Sequence, residues 1–524
     1  MDGLRKTWAD EFSSIYVFNL RGNARTSGAQ RQKERGNVFG EGSRTPIAIT
    51  LLIKNPDKDG SCKIFYRDIG DYLTREQKLG ILKETGSIEN VPWETITPNE
   101  AGDWINQRND EFASFIPLNN APNAIFALRS RGVETSRDDW VYNFSRPQLE
   151  ANISRMIEFY NSQVDMHWPT TYAARKNAEK KAQELIDTDP KKIKWTRGLI
   201  ANLVRNRKGY FDNWRIGAGI YRPYCKSFVY YDPQFNEYYK EKLYPTVHHK
   251  NLMLMIPSVG ISKDFSCLIA DALPDLNMLQ GTQCFPLYYY EKADGKSNAD
   301  TGLFDGTAEA EVDASGYVRK EAITDVALDE FRTRYQDAAI SKEDIFYYCY
   351  GILHSPDYRE KFASDLKKML PRLPLVEDFW GFSKGGRELA YWHLNYESVE
   401  PYPINDPSAS DSGLDLRVER MRFAKGKDGN FDKSVIIYNS AITLSGIPLE
   451  AYDYQVNGKS AIEWIMERYQ ITTDKDSGIV NDPNSYADNP RYIIDLLKRV
   501  VRVSMETDQI VKQLPGLSIH RRAS

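Results

Sequence analysis

The stretch YVFNLRGNARTSGAQRQKERGNVFGEGSRTPIAITLLIKNP, Tyr16–Pro56, decides how the rest of the chain is read. Two near-continuous apolar, β-branched runs, SIYVFNL from Ser14 and PIAITLLI from Pro46, have the pattern of strands covered on both faces. Between them lies a Gly-rich polar loop. Its residues Arg21–Arg44 carry six Arg/Lys against two Glu. A connection this long inside a domain is a functional element or a disordered one, and Arg on Gly-rich backbone suits phosphate contact. A plainly solvated charged loop has the same pattern on charge alone.

Working outward, CKIFYRDI from Cys62 reads as a third strand and TREQKLGILKE from Thr74 as a helix with a Thr N-cap. Residues 1–90 therefore read as the end of an α/β domain. Residues 91–190 read as mainly helical: SRPQLEANISRMIEFYNSQV opens on a Ser cap with Pro just inside, and TTYAARKNAEKKAQELID follows. Residues 191–292 are β-rich, with KSFVYYD, NLMLMIP, FSCLIAD and QCFPLYYYE separated by short turns. Residues 293–320, poor in large apolar side chains, read as a flexible linker. Residues 321–524 mix helices (SKEDIFYYCYGILHS, PRYIIDLLKRVVRVSMETDQIVKQL) with short strands (SVIIYN, AITLSGI). The fold class expected is α/β plus α+β.

The 524 residues are long enough for about three domains. A net charge of −4 excludes a globally cationic, histone-like protein, so any nucleic-acid contact must be a local patch. The 32 Tyr suit a core that also presents flat amphipathic surface. Five widely spaced cysteines form no C-x-x-C pair, which argues against a zinc knuckle and for reduced thiols. No apolar run approaches a membrane span and the first residues lack an apolar leader core, so a cytoplasmic chain is expected.

The strongest local signal is KKIKWTRGLIANLVRNRKGYFDNWRIGAGIYRPYCK, residues 191–226, with ten Lys/Arg, one Asp and six interleaved aromatics, Trp195, Tyr210, Phe211, Trp214, Tyr221 and Tyr224. Cations neutralise phosphates and aromatics pack on sugars or bases. The competing reading is an amphipathic helix with a wet face. Four short matches fail on chemistry. NGKS (457–460) has Asp453 where a phosphate loop needs its first Gly. GAG at 217–219 is no dinucleotide fingerprint. The pair His248–His249 lacks a third ligand at metal spacing and reads as surface or packing histidine. In YYDPQF (230–235) Gln234 breaks the Pro-Pro pair that an amino-methylating turn needs, so a turn after a strand is expected.

The blocks IYVFNLRGNARTSG, GSRTPIAITLLIKNP, TPNEAGDWINQRND, YRPYCKSFVYYD, DLNMLQGTQCFPLYYYE, DIFYYCYGILHSPDYREKFASDLKKMLPRLPLV and NGKSAIEWIMERYQ occur in this order over nearly the whole chain. With them the chain resembles the C-terminal part of the single-polypeptide, ATP-dependent Type ISP restriction–modification enzymes. In that family a nuclease, a helicase-like translocase, an N6-adenine methyltransferase and a target recognition domain follow one another. The resemblance implies that residues 1–90 are the last strands of a methyltransferase-like fold, incomplete in this chain. It implies a helical connector over 91–190 and a mixed α/β target recognition domain over the remainder.

The S-adenosylmethionine-binding and catalytic motifs would lie upstream of Met1, as would the motor and nuclease. The chain is then expected to be a truncated member or one piece of a split system, and inactive alone as methyltransferase, ATPase or nuclease. S-adenosylmethionine, ATP and Mg are implied for the intact enzyme and no cofactor for this chain. The partner implied is double-stranded DNA, with the missing N-terminal portion as a second. The DNA-contacting candidates are Arg21, Asn23, Arg25, Arg31, Arg35 and Arg44 in the first loop. In the second stretch they are Lys194, Arg197, Arg205, Arg207, Lys208, Arg215 and Arg222. Arg222 and Tyr224 could equally form a structural turn. Phe39 is expected in core packing, with a place near an extruded base as the alternative. As rival readings, a separately encoded specificity subunit would use the exposed edge of SIYVFNL as its interface, and a scaffold or remnant would bind DNA weakly.

Overall fold

A computed structural model describes the chain apart from residues 1, 27, 41, 58–59, 262, 294–311, 411–412, 428 and 521–524. Most of the linker expected at 293–320 thus lies outside the described residues. The chain divides into two units. The first comprises Met1–Phe115, Val259–Phe265 and Tyr358–Pro374, and the second Ile116–Ser258, Ser266–Asp357 and Leu375–Ser524.

The first unit is built on four strands, β1 (Ser14–Arg21), β2 (Ile47–Ile53), β3 (Lys63–Asp68) and β4 (Glu94–Ile96), in the order β2-β1-β3-β4. Helix α1 (Asp2–Glu11) precedes them, α2 (Gly28–Glu34) lies in the basic loop and α3 (Arg75–Thr85) follows β3. α3 starts where the sequence says it should: Thr74 and Gln77 form a reciprocal capping box, and Gly86 at φ 63° ends it. One face of the sheet buries Phe18, Leu20, Ile69 and Val91, with Ile81, Leu82 and Trp93 packed against them.

Two expectations change here. β1 pairs antiparallel with β2 on one side and parallel with β3 on the other, so both edges of SIYVFNL are occupied. Among the described residues the sheet's edge strands are β2 and the short β4. Nor is β2 covered on its faces: Ile49 and Leu51 are 42% and 45% exposed on one side, and Leu52 is exposed on the other. A continuous apolar run does not report which strand is left at the rim of the sheet.

The second unit contains a large core. The Ser145-capped helix runs without interruption over Arg146–Ala173, taking in Pro169 and the start of what the sequence suggests is a separate helix. It buries Ile153, Met156, Tyr160 and Val164 against the short helix Arg197–Val204 and a hairpin of Ile216–Arg222 with Cys225–Tyr230. A second sheet joins Leu268–Ala270, Met253–Ile256, Gln283–Pro286 and Ser130–Arg131. Helices Lys342–His354, Phe379–Leu394 and Tyr492–Gln513, and a small three-stranded sheet, complete it. Many tyrosines are core residues whose hydroxyls donate to backbone carbonyls, as Tyr160 does to Arg207 (2.8 Å) and Tyr438 to Leu416 (3.0 Å). A buried phenol needs such a partner.

Candidate nucleic-acid interface

The loop between β1 and β2 is held from within. Asn37 donates Nδ2 to the carbonyls of Gly22 (3.1 Å) and Thr45 (2.9 Å), and its Oδ1 accepts from the Phe39 N–H (3.0 Å). Lys78 of α3 is fully buried, and its Nζ donates to the carbonyls of Gly36 (2.8 Å) and Glu34 (3.3 Å) where α2 ends. Burial pulls this ammonium below the ordinary lysine pKa. Gly36, at φ 65°, lies so close to α3 that a Cβ there would sit 2.5 Å from the Arg75 nitrogen.

This frame sorts the candidates. Arg21 hydrogen-bonds Asp68 through Nε (2.7 Å) and reaches Asp71 through Nη1. Burial alone would lower its pKa, but Asp68, Asp71 and Glu34 outweigh it and hold the guanidinium charged. Asn23 folds the loop, its N–H on Glu34 (3.0 Å) and its Oδ1 accepting from the Arg25 N–H (3.0 Å). Arg25, Arg31, Arg35 and Arg44 are exposed and make no ion pair among the described residues. Phe39, expected in core packing, is instead 73% exposed. Its backbone N–H is held by Asn37 Oδ1.

In the second unit the basic stretch contains a clamped loop, residues 205–215. Gly209 donates to Asn161 Oδ1 (2.8 Å) and accepts from its Nδ2 (2.9 Å), and the Arg207 carbonyl accepts from Tyr160 and from Gln234 (3.2 Å). A Cβ on Gly209 would meet the Phe235 ring at 2.5 Å, so the loop lies directly on the core. Out of this base project Arg205, Arg207, Tyr210 (78% exposed) and Trp214 (66% exposed). Trp214 stacks on His248, ring centroids 4.0 Å apart. Lys194 is exposed, and Arg197, at the start of its helix, is 3.9 Å from Glu179 but otherwise open. Lys208 pairs with Asp165 at 2.7 Å.

Arg215 and Arg222 are placed differently. Arg215 bridges Asp232 (2.9 Å) and Asp212 (3.6 Å). Arg222 is bonded to buried Asp275 at 2.6 Å and lies over the Tyr221 ring. Burial opposes its charge, yet Asp275 and its other neighbours raise its pKa. Tyr224 is buried, its hydroxyl 2.9 Å from that of Tyr454.

The other motifs resolve locally. Asp232 accepts from the N–H groups of Gln234 (2.7 Å) and Phe235 (3.0 Å), a turn closing a strand. Ser460 of NGKS caps a helix with Glu463. His249 lies between Thr246 and Asp313. No group of three His, Cys, Asp or Glu side chains among the described residues is placed to hold a metal. Among the same residues no helix is long and apolar enough to cross a membrane. Sequence reading missed the holders Lys78 and Asn161, whose partners lie 42 to 48 residues away, and Asn37, which ties Gly22 to Thr45 across the loop.

No curated protein matches the chain. Solved structures do. The nuclease-deletion mutant of the Type ISP restriction–modification enzyme LlaGI, in complex with a DNA substrate mimic, is 38% identical with TM-score 0.82, over 99% of this chain and 38% of that one. The ATP-dependent Type ISP enzyme LlaBIII bound to DNA is 36% identical with TM-score 0.81, over 99% and 32%. The DrdV–DNA complex is 30% identical with TM-score 0.79, over 99% and 49%. The chain thus spans between a third and a half of these proteins. The sequence model of the Type ISP C-terminal specificity domain matches residues 124–496. The chain belongs to the Type ISP restriction–modification family and carries its C-terminal specificity domain.

Proposed function

We propose that this chain recognises a defined site in double-stranded DNA. The observation that carries the reading is the clamped loop 205–215: Arg205 and Arg207, with no ion pair among the described residues, beside exposed Tyr210 and Trp214, on backbone fixed to the core. Cations set the register on phosphates while other side chains meet base edges. Backbone that is already ordered loses little entropy on binding. The LlaGI, LlaBIII and DrdV structures, each with DNA, support the same reading. Within it, Arg25, Arg31, Arg35, Arg44, Lys194 and Arg197 are further phosphate contacts. Arg21, Arg215 and Arg222 shape the protein rather than the interface.

The open apolar edge of β2 supports a second element of the proposal. Exposed strand edges with apolar faces are aggregation hazards unless covered. We infer that the sheet of the first unit is completed by a methyltransferase portion, in the same polypeptide or as a partner subunit. Adenine methylation and ATP-dependent restriction belong to that assembly, as do S-adenosylmethionine, ATP and Mg. Among the described residues no group of three His, Cys, Asp or Glu side chains is placed to hold the metal. The test is binding of the chain to random duplex pools across salt concentrations. Enrichment of one sequence with a steep salt dependence is expected. Weak binding indifferent to sequence would favour the scaffold reading instead, and methyl transfer by the chain alone would overturn its assignment as recognition only.

A further inference from the structure

The three-stranded sheet of the second unit, Arg422–Lys425, Phe431–Ile437 and Thr443–Ser445, ends in a ribbon that outruns its third strand. Thr443–Ser445 pairs only with Val435–Ile437, whereas Ala424 pairs with Asp432 and Lys425 with Phe431 beyond it. The register jumps between Phe423, which faces Ile436, and Ala424. Such a bulge bends a ribbon away from its sheet. Asp432 fixes it by accepting from the Ser434 N–H (2.9 Å) and hydroxyl (2.6 Å). The tip closes through Gly426 N–H to the Asn430 carbonyl (2.8 Å). The base is anchored where Phe423 meets Tyr452 at 5.8 Å and the Tyr452 hydroxyl donates to the Lys433 carbonyl (2.7 Å).

The charges on this ribbon stand apart from those around it. Nearby cations are neutralised, Arg417 by Asp482 (2.7 Å), Lys433 by Glu463 (3.4 Å) and Arg491 by Asp406 (2.7 Å). Arg420, Arg422, Lys425 and Lys427 are exposed and make no ion pair among the described residues. Beside them Phe431 is 69% exposed. Like charges gathered on a narrow projection repel one another until a polyanion neutralises them. A two-stranded ribbon is one of the elements that a duplex major groove admits, and an exposed aromatic can meet a thymine methyl there.

We propose that this ribbon is a second DNA contact, entering a groove with Arg420, Arg422, Lys425 and Lys427 on phosphates and Phe431 against bases. The proposal rests on the DNA reading above. The test titrates the whole chain with duplex DNA over a range of salt. Arg422→Ala/Lys425→Ala/Lys427→Ala is expected to lower the slope of log affinity against log salt by about three. Near physiological salt its affinity should fall roughly ten- to a hundredfold, with the melting temperature unchanged. Phe431→Ala should narrow the preference for the target over random duplex and leave the slope intact.

As controls, Lys384→Ala on the exposed side of the helix Phe379–Leu394 should change neither quantity, and in the unaltered chain DNA should protect Lys425 and Lys427, but not Lys384, from acetylation. If the triple variant keeps the parent slope and affinity, or the lysines stay reactive with DNA bound, the ribbon is not a contact although the DNA reading stands. If the parent itself binds no duplex at low salt, both fall together.

Discussion

Arg205 and Arg222 sit in equally basic stretches, and substituting them should have opposite consequences. Arg222 lies 2.6 Å from Asp275 Oδ1 and 3.9 Å above the Tyr221 ring. Arg222→Ala leaves a buried carboxylate without its partner, which costs about 3 kcal/mol and should appear as a drop in melting temperature. Arg205 has no such partner. Arg205→Ala should leave stability within about 0.5 kcal/mol and lower the salt slope of DNA binding by about one. Paired thermal melts and salt titrations separate the two, and a folded, weakly binding Arg222→Ala would reverse this assignment. The difference is invisible in the local sequence because Asp275 is 53 residues from Arg222.

Elements carry the next two expectations. The loop 205–215 depends on Gly209, because a side chain there would drive into the Phe235 ring. Gly209→Ala should cost about 1–3 kcal/mol from overpacking. It should also weaken DNA binding by shifting Tyr210, whereas Tyr210→Ala weakens binding with the melting temperature intact. Strand β2 is the second case. Ile49→Lys with Leu51→Lys places charge on its exposed face, the device by which natural edge strands avoid self-association. Sedimentation velocity across concentrations should show less association for that variant than for the parent, and no difference would mean that the edge is protected in another way. The identity of β2 as a strand was legible in its β-branched run. Its place at the rim was not, because strand order follows from pairing partners far along the chain.

At the scale of the whole molecule, carboxylates held by cations inside each unit set the acid limit. In the first unit Asp103 is bonded by Arg108 (2.8 Å) and Lys368 (3.0 Å), and Asp68 by Arg21 (2.7 Å). In the second, Asp406 meets Arg491 (2.7 Å) and Lys498 (3.3 Å). Burial alone would raise all three pKa values, but these donors outweigh it and hold each below the ordinary carboxylate range. At these three groups the folded state therefore binds fewer protons than the unfolded one. The stabilisation persists at neutral pH and is lost as pH falls below about 4, through the unfolded and then the folded values. Melting temperatures should decline as pH falls below that point, and a level profile into strong acid would contradict the role given to these carboxylates.

The sequence by itself determined the mixed α/β and α+β character, the helix starts at Thr74, Ser145 and Ser341, and the two regions where positive charge gathers. Each of these is written in residues adjacent along the chain. Only the tertiary structure decided which cations remain open to a ligand, that Phe39 faces solvent, and that β2 rather than β1 forms an open edge. Those outcomes turn on partners tens of residues away, and ion pairing, burial and strand order exist only once the chain has folded.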